Sequence, residues 1–340
     1  MVPRIYPLLS ITALIIIVLL SFDQIEDGFF KSALAHSITV PVRGASPYGI
    51  TYNSANNNMY VTNAMSSTVS VISGSTDSVI ASILVGNTPA VIAYAPPNNK
   101  LYVSNAGSDD VYVINGATNK VTKNIPVGNF PIGIAYNPSN NDAYVVNNAN
   151  DTVSVIDTSI DSVIGTIPLN SVLPPPRVVA PYSITYDKVN GGMYVGGTDN
   201  PQVSAVNTAS NADVKDLPLV APAADSQVAG LVHDTNNNRI YITAHSANMV
   251  VRINPETNEF DGTPIPLGVN PFGIAYNPKN NNIYVTNFGS NTVSIINPTT
   301  NSVIDTIPTG TAPAGIAYNP SNNHIYVANA GSNTVSIIHP

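Results

Sequence analysis

A pair of aromatic positions held eight residues apart recurs seven times along the chain: Tyr52/Tyr60, Tyr94/Tyr102, Tyr136/Tyr144, Tyr186/Tyr194, His233/Tyr241, Tyr276/Tyr284 and Tyr318/Tyr326. The first member of each pair ends a short apolar segment such as Gly273-Ile274-Ala275-Tyr276, and successive segments lie 42, 42, 50, 47, 43 and 42 residues apart. A period of this length decides a fold before any local propensity does, because each unit is too small to bury its own apolar face and must stack on its neighbours.

Each unit reads as four short strands. In the sixth they are expected at 273–276, 282–286, 292–296 and 302–307, separated by Pro278-Lys279-Asn280-Asn281, Asn287-Phe288-Gly289-Ser290-Asn291 and Asn297-Pro298-Thr299-Thr300-Asn301. The 44 Asn, 28 Pro and 22 Gly supply the left-handed backbone, side-chain-capped turns and fixed φ that tight reversals require. The strands are rich in Val, Ile, Thr and Tyr, as sheets covered on both faces are. Four antiparallel strands per unit, seven times over, predict an all-β chain forming a seven-bladed β-propeller. A linear solenoid would need polar capping repeats, and the two ends look instead like halves of one blade. The seventh unit stops at its third strand, Thr334 to Ile338, while Ser37-Ile38-Thr39-Val40-Pro41-Val42 is similar to the fourth-strand sequence Asp305-Thr306-Ile307-Pro308-Thr309. The N-terminal strand is therefore expected to complete the last blade and close the ring.

Residues 1–35 have a different composition. Ile5 to Phe22 is an apolar run with Arg4 before it and Asp23, Glu26 and Asp27 after it, the polarity of a segment whose C-terminal side is exported. Ala33-Leu34-Ala35 forms a small-x-small triplet directly before the repeats begin. Two fates stay open: cleavage of a signal peptide after Ala35, or retention of residues 5–22 as a single membrane anchor. Both give residues 36–340 an extracytoplasmic location, secreted or at the cell surface.

Tyr60-Val61-Thr62-Asn63 and Tyr284-Val285-Thr286-Asn287 resemble the signature of the YVTN-family β-propeller repeat proteins, with close variants at Tyr102, Tyr144 and Tyr326. The resemblance extends over residues 37–340. It implies a propeller of the exported, surface-layer-associated kind, a class mostly without an assigned reaction. The fourth and fifth units depart from it, with Tyr194-Val195-Gly196-Gly197 and Tyr241-Ile242-Thr243-Ala244.

In such a ring the turns joining strands one to two and three to four lie on one face, and the turns joining two to three, with the linkers between blades, lie on the other. The first face carries near-identical Asn-rich turns. The second varies, and variable loops on a rigid scaffold are where recognition is placed. The longest linkers enter blades 4 and 5 and contain Arg177 and Asp225, with Asp199 and His245 in nearby loops. At the residue after the linker proline, Tyr48, Tyr182 and Phe272 interrupt a series of Ala90, Ile132 and Ala314, and Val228 is assigned the equivalent place in the fifth unit. The three aromatics form either a stacking platform for a ligand or a plug in the channel mouth. Arg177 is a candidate partner for an anionic group.

Chemistry-bearing residues are sparse. There is no Cys, which removes disulfides, thiolate metal sites and thiol catalysis together. A net charge of −8 lacks the basic stripe that nucleic acid requires. The five His show no metal-ligand spacing in sequence, no phosphate loop or nucleophile elbow occurs, and neither a cofactor nor a metal is expected. Asn150-Asp151-Thr152 is the one glycosylation sequon. The reading that follows is a non-enzymatic scaffold binding an envelope protein or glycan through the loop face around blades 4 and 5. The alternatives are a propeller-type enzyme, similar to a lactonase or a streptogramin lyase, or a periplasmic accessory of a redox chain.

Overall fold

The computed structural model describes residues 36–169, 179–198, 202–219, 222–224 and 226–340. The leader with Ala35, and the linker and loop residues Arg177, Asp199 and Asp225, lie outside the described residues. Among the described residues no helix is long and apolar enough to cross a membrane.

The strands form seven antiparallel sheets, and in every blade but the closing one the sequence order is the spatial order from the channel outward. Blade 6 is representative: Pro271–Asn277, Asn282–Asn287, Thr292–Asn297 and Ser302–Pro308. The expected strands are present, each longer than the apolar run because the flanking Pro and Asn residues also pair, as in Pro271 with Asn287. Blade 5 departs from the pattern. Its fourth strand is split into Glu259–Phe260 and Ile265–Pro266, with Asp261 and the left-handed Gly262 (φ 70°) between them. Asp261 there accepts from Arg239 Nε at 2.5 Å and Arg252 Nε at 2.7 Å.

The ring closes as the end sequences imply. His36–Pro41 pairs with Thr334–His339, completing a blade whose other three strands come from the C-terminus. Val42 N–H also donates to the Asn333 carbonyl at 3.1 Å.

The core lies between blades. Tyr102, Val111, Val113 and Ile125 of blade 2 pack on Ile134, Ala143, Val145 and Ile156 of blade 3, and comparable clusters fill other joints, including that between blades 7 and 1. In blades 1 to 4 the second tyrosine of the pair does two jobs. Its ring is buried, and its hydroxyl reaches the next blade to donate to a turn residue with positive φ: Tyr60 to Asn119 at 2.6 Å, Tyr102 to Asp161 at 2.6 Å, Tyr144 to Asn211 at 3.2 Å, and Tyr194 to Asn258. Burial pushes the Tyr102 phenol well above its usual range, with the Asp161 carboxylate adding to the effect, so it remains a proton donor. Tyr60→Phe removes one such hydroxyl and leaves its Asn partners facing a ring edge. A loss of about 1–2 kcal/mol is expected, read as a fall in Tm of a few degrees by differential scanning calorimetry; an unchanged Tm would show that the hydroxyls are incidental to the stacking.

The signature asparagine faces inward within its own blade. Asn63 Nδ2 donates to Thr68 Oγ1 at 3.1 Å and Ser70 Oγ at 2.9 Å, and Asn147, Asn287 and Asn329 repeat the arrangement. Its amide ties the end of strand two to strand three, and the linker glycine lies against it. A Cβ on Gly310 would come within 2.7 Å of the Asn329 side chain. Blades 4 and 5 place Gly197 and Ala244 here and lack this tie.

Candidate binding site at the channel mouth

Except in blade 5, each first strand enters the ring at a proline and carries an irregularity in its pairing just after it, as between Pro271 and Ile274. The residue after the proline thus projects at the mouth of the channel. Tyr48, Tyr182 and Phe272 converge there from blades 1, 4 and 6. Phe272 makes edge contacts with Tyr48 (ring centroids 5.6 Å apart, 73°) and Tyr182 (5.9 Å, 85°), and the two tyrosine hydroxyls meet each other. Burial raises the Tyr182 phenol above its ordinary range. Edge-to-face rings from three blades, with their polar ends paired, meet across the channel mouth. Beneath them a cavity of about 150 Å³ is lined by the first strands, with Gly49, Gly133, Gly230 and Gly315 among its walls.

The register corrects one assignment. Val228 pairs with Ala244 as the prolines pair with the residues at the signature-asparagine position, so Val228 stands in the proline's own place and is fully buried. Ala229 is the fifth blade's rim residue, and it lines both the cavity beneath the aromatics and the depression above them.

A second set of rim positions went unrecognised in the sequence. The residue after the signature asparagine opens the turn between strands two and three, and the seven blades carry Ala64, Ala106, Asn148, Thr198, His245, Phe288 and Ala330 there. Blades 1, 2 and 7 have alanine at this position, whereas blades 3 to 6 have larger or polar groups. The sequence signal was available, one residue beyond the repeat signature. These side chains reach the inner rim: Asn148 Nδ2 donates to the Pro181 carbonyl at 3.2 Å, and His245 Nδ1 donates to the Pro271 carbonyl at 3.1 Å. A carbonyl only accepts, so His245 carries its proton on Nδ1, and Nε2 accepts from Asn270 Nδ2 at 3.2 Å. The imidazole also packs edge-on against Phe272, with centroids 5.9 Å apart.

The result is a lopsided mouth. A depression of about 250 Å³ lies over blades 3 to 6, bounded by Phe130, Ile132, Asn148, Tyr182, His245 and Phe272. Phe130 is 46% exposed and adopts φ 53°, a left-handed conformation uncommon for a bulky residue. Its N–H is held by Asp109 Oδ1 at 2.8 Å. Phe288 is 37% exposed and lies 6.0 Å from Phe272. Of the candidate residues read from sequence, the fold brings Tyr48, Tyr182, His245 and Phe272 together. Asn150 lies on the same loop face, where its Oδ1 accepts from the Asn129 N–H, the role that Ser66, Ser108 and Ser290 hydroxyls play in other blades.

On the opposite face His233, which replaces a first-strand tyrosine, is engaged through both nitrogens: Nδ1 accepts from Lys188 N–H at 3.0 Å and Nε2 faces Asn238 Oδ1 at 3.1 Å. A larger cavity of about 650 Å³ also opens on that face beside the turn between the first two strands of blade 4, lined in part by Asp187, Lys188, Asn207 and Glu256.

Residues 311–338 match the NHL repeat. No curated protein matches the chain in sequence. Among solved structures the chain is similar to Kuenenia stuttgartiensis hydrazine synthase, with 21% identity over 88% of this chain and 97% of that one and a TM-score of 0.76. It is also similar to a streptogramin B lyase, with 15% identity over 90% of this chain and 97% of that one and a TM-score of 0.76. A catalytically inactive virginiamycin B lyase from Staphylococcus aureus, solved with quinupristin, gives 16% identity over 90% of this chain and all of that one, again with a TM-score of 0.76. Likeness at these identities establishes a shared propeller fold, and a fold shared between a synthase and lyases does not specify a reaction.

Proposed function

We propose that this chain is an extracytoplasmic, cell-surface propeller of the YVTN type that acts as a non-enzymatic binding module, taking an envelope protein or glycan on the loop face over blades 3 to 6. The observation that carries this reading is the asymmetry of the mouth. After the signature position blades 1, 2 and 7 present alanine, while blades 3 to 6 present Asn148, Thr198, His245 and Phe288, with the exposed Phe130 beside them at the entry to blade 3. Exposed aromatics on a rigid scaffold suit stacking on a sugar face or packing on a partner's apolar residue. The export features of residues 1–35 support the location.

The enzymatic alternative has His245 as its best acid–base candidate among the described residues. Its Nε2 lone pair already accepts from Asn270, so it is poorly placed to take a proton from a substrate.

The test is capture by immobilised protein of components from an envelope extract and from a panel of defined glycans, comparing wild type with Phe130→Ala/Phe288→Ala. Both rings are substantially exposed, so the double variant is expected to keep its Tm within about 2 °C while losing at least tenfold in capture. Undiminished capture by the folded variant would remove the loop face as the binding site.

A further inference from the structure

At the joint between blades 7 and 1, on the face opposite the aromatic mouth, three metal-ligating side chains meet. His324 opens the second strand of blade 7 and His339 ends the third. The register pairs Ile325 with Ile338, which sets the two histidines opposite each other, their rings stacked with centroids 4.0 Å apart and 7° between planes. Asp77 comes from the neighbouring blade, in the turn between the third and fourth strands of blade 1. Its Oδ1 accepts from the Tyr326 hydroxyl, and its Oδ2 lies 3.9 Å from His324 Nδ1, too far for a hydrogen bond. His324 Nδ1 is buried and has no hydrogen-bond partner. One ligand atom from each of the three residues lies within 4.8 Å of the others.

The repeat supplies an internal comparison. Lys100 and Asp161 hold the positions of His324 and Asp77 at the joint between blades 2 and 3. There the Lys100 ammonium fills the space, 2.7 Å from Asp161 Oδ2 and 3.1 Å from the Thr158 carbonyl. Blade 2 thus carries its own cation at this joint. The joint between blades 7 and 1 presents two imidazoles and a carboxylate around the same place, with a buried nitrogen facing it and, among the described residues, no lysine or arginine.

We propose that Asp77, His324 and His339 form a divalent transition-metal site, zinc being the ion whose ligand preference it fits, which clasps blade 7 to blade 1 where the ring closes. Two imidazoles and one carboxylate are a zinc donor set, and a fourth position is left to water. Ligands around zinc lie roughly 3.3 Å apart, given bonds of about 2.0–2.2 Å. His339 is exposed at the end of its strand and turns to meet the buried His324 nitrogen and Asp77. The carboxylate is oriented by the Tyr326 hydroxyl, the kind of supporting hydrogen bond that fixes a metal ligand. Hard cations such as magnesium favour all-oxygen shells and are excluded by the two nitrogens.

The experiment uses the untagged full chain stripped with chelator. Titration with zinc chloride by calorimetry is expected to show one equivalent bound at micromolar Kd or tighter, with magnesium giving no heat. Saturation with zinc is expected to raise Tm by about 5 °C. Cobalt(II) is expected to give visible absorption bands of a low-symmetry nitrogen–oxygen site. His324→Gln and His339→Gln each weaken zinc binding at least tenfold and abolish the Tm rise, whereas His245→Gln leaves both unchanged. Circular dichroism establishes that each variant is folded; should His324→Gln not fold, the exposed His339→Gln alone decides. Absence of one-equivalent binding, or binding unchanged in His339→Gln, overturns the site.

Discussion

Removal of residues 36–43 from the chain is expected to lower Tm by about 10 °C, the largest effect of any short deletion in the ring. Val40 and Val42 pack on the cluster that includes Tyr326, Ala328, Val335 and Ile337 at the closing joint. Burial of two partly covered valines contributes about 2 kcal/mol. The strand's main-chain hydrogen bonds to Thr334–His339 add about 1 kcal/mol each. A total near 5 kcal/mol corresponds to about 2 °C per kcal/mol in a domain of this size. Losing the strand also bares the edge of a long apolar strand, so the deleted protein is expected to self-associate. Calorimetry gives Tm, and a synthetic peptide of residues 36–43 added in trans is expected to recover part of the loss by pairing with the same edge. An unchanged Tm after deletion would mean that blades 1 and 7 hold together without the strand.

The second large effect concerns the tightness of the ring. A Cβ built on Gly315 would sit 2.2 Å from the Tyr48 carbonyl oxygen, and one on Gly273 2.3 Å from that of Ala314. These are contacts with the neighbouring blade's backbone, which cannot step aside as a side chain can. Gly315→Val forces blades 7 and 1 apart at the channel, and is expected to cost about 3 kcal/mol or more. It also displaces Tyr48 from its contacts with Phe272 and Tyr182. The double signature to measure is a fall in Tm of at least 5 °C with loss of the near-ultraviolet dichroism of the packed tyrosines. The same substitution at Gly165, on an outer strand with nothing nearer than 4.0 Å, is the control and leaves both almost unchanged. Equal effects at the two positions would refute close approach as the reason for glycine in the first strand.

Much of the architecture was legible in the residues. Aromatic pairs eight residues apart, His233/Tyr241 in blade 5 and two tyrosines elsewhere, marked the first two strands of every blade, because a hairpin of fixed turn length repeats its register each time. The strand at 37–42 announced the closure by its similarity to fourth strands. Other features were hidden by the local nature of sequence reading. His324 and His339 are separated by a complete hairpin, and their adjacency depends on the register between Ile325 and Ile338. Asp77 joins them only because the ring brings its ends together. Without its proline, the fifth blade offered no marker for its rim position, and pairing with Ala244 was needed to place Val228 and Ala229.

The candidate binding site shows the same division. Sequence identified Tyr48, Tyr182 and Phe272 as departures from a pattern and left two roles open for them. The tertiary structure joins their rings and hydroxyls across the channel mouth, and sets exposed aromatic surface at Phe130 and Phe288. The signature tyrosine and asparagine, conspicuous as a motif, prove to be joints: one reaches the next blade, the other ties two strands of its own.

By itself the sequence determined what is periodic here: strand number, turn chemistry, blade count and the strand that shuts the ring, each encoded within one unit or in the likeness between units. The tertiary structure alone decided what depends on residues far apart in the chain: the rings joined across the channel mouth, the lopsided rim over blades 3 to 6, and the meeting of Asp77 with His324 and His339. Local periodicity follows from backbone geometry that each segment carries with it, whereas these sites arise from closing a circle, which no segment contains.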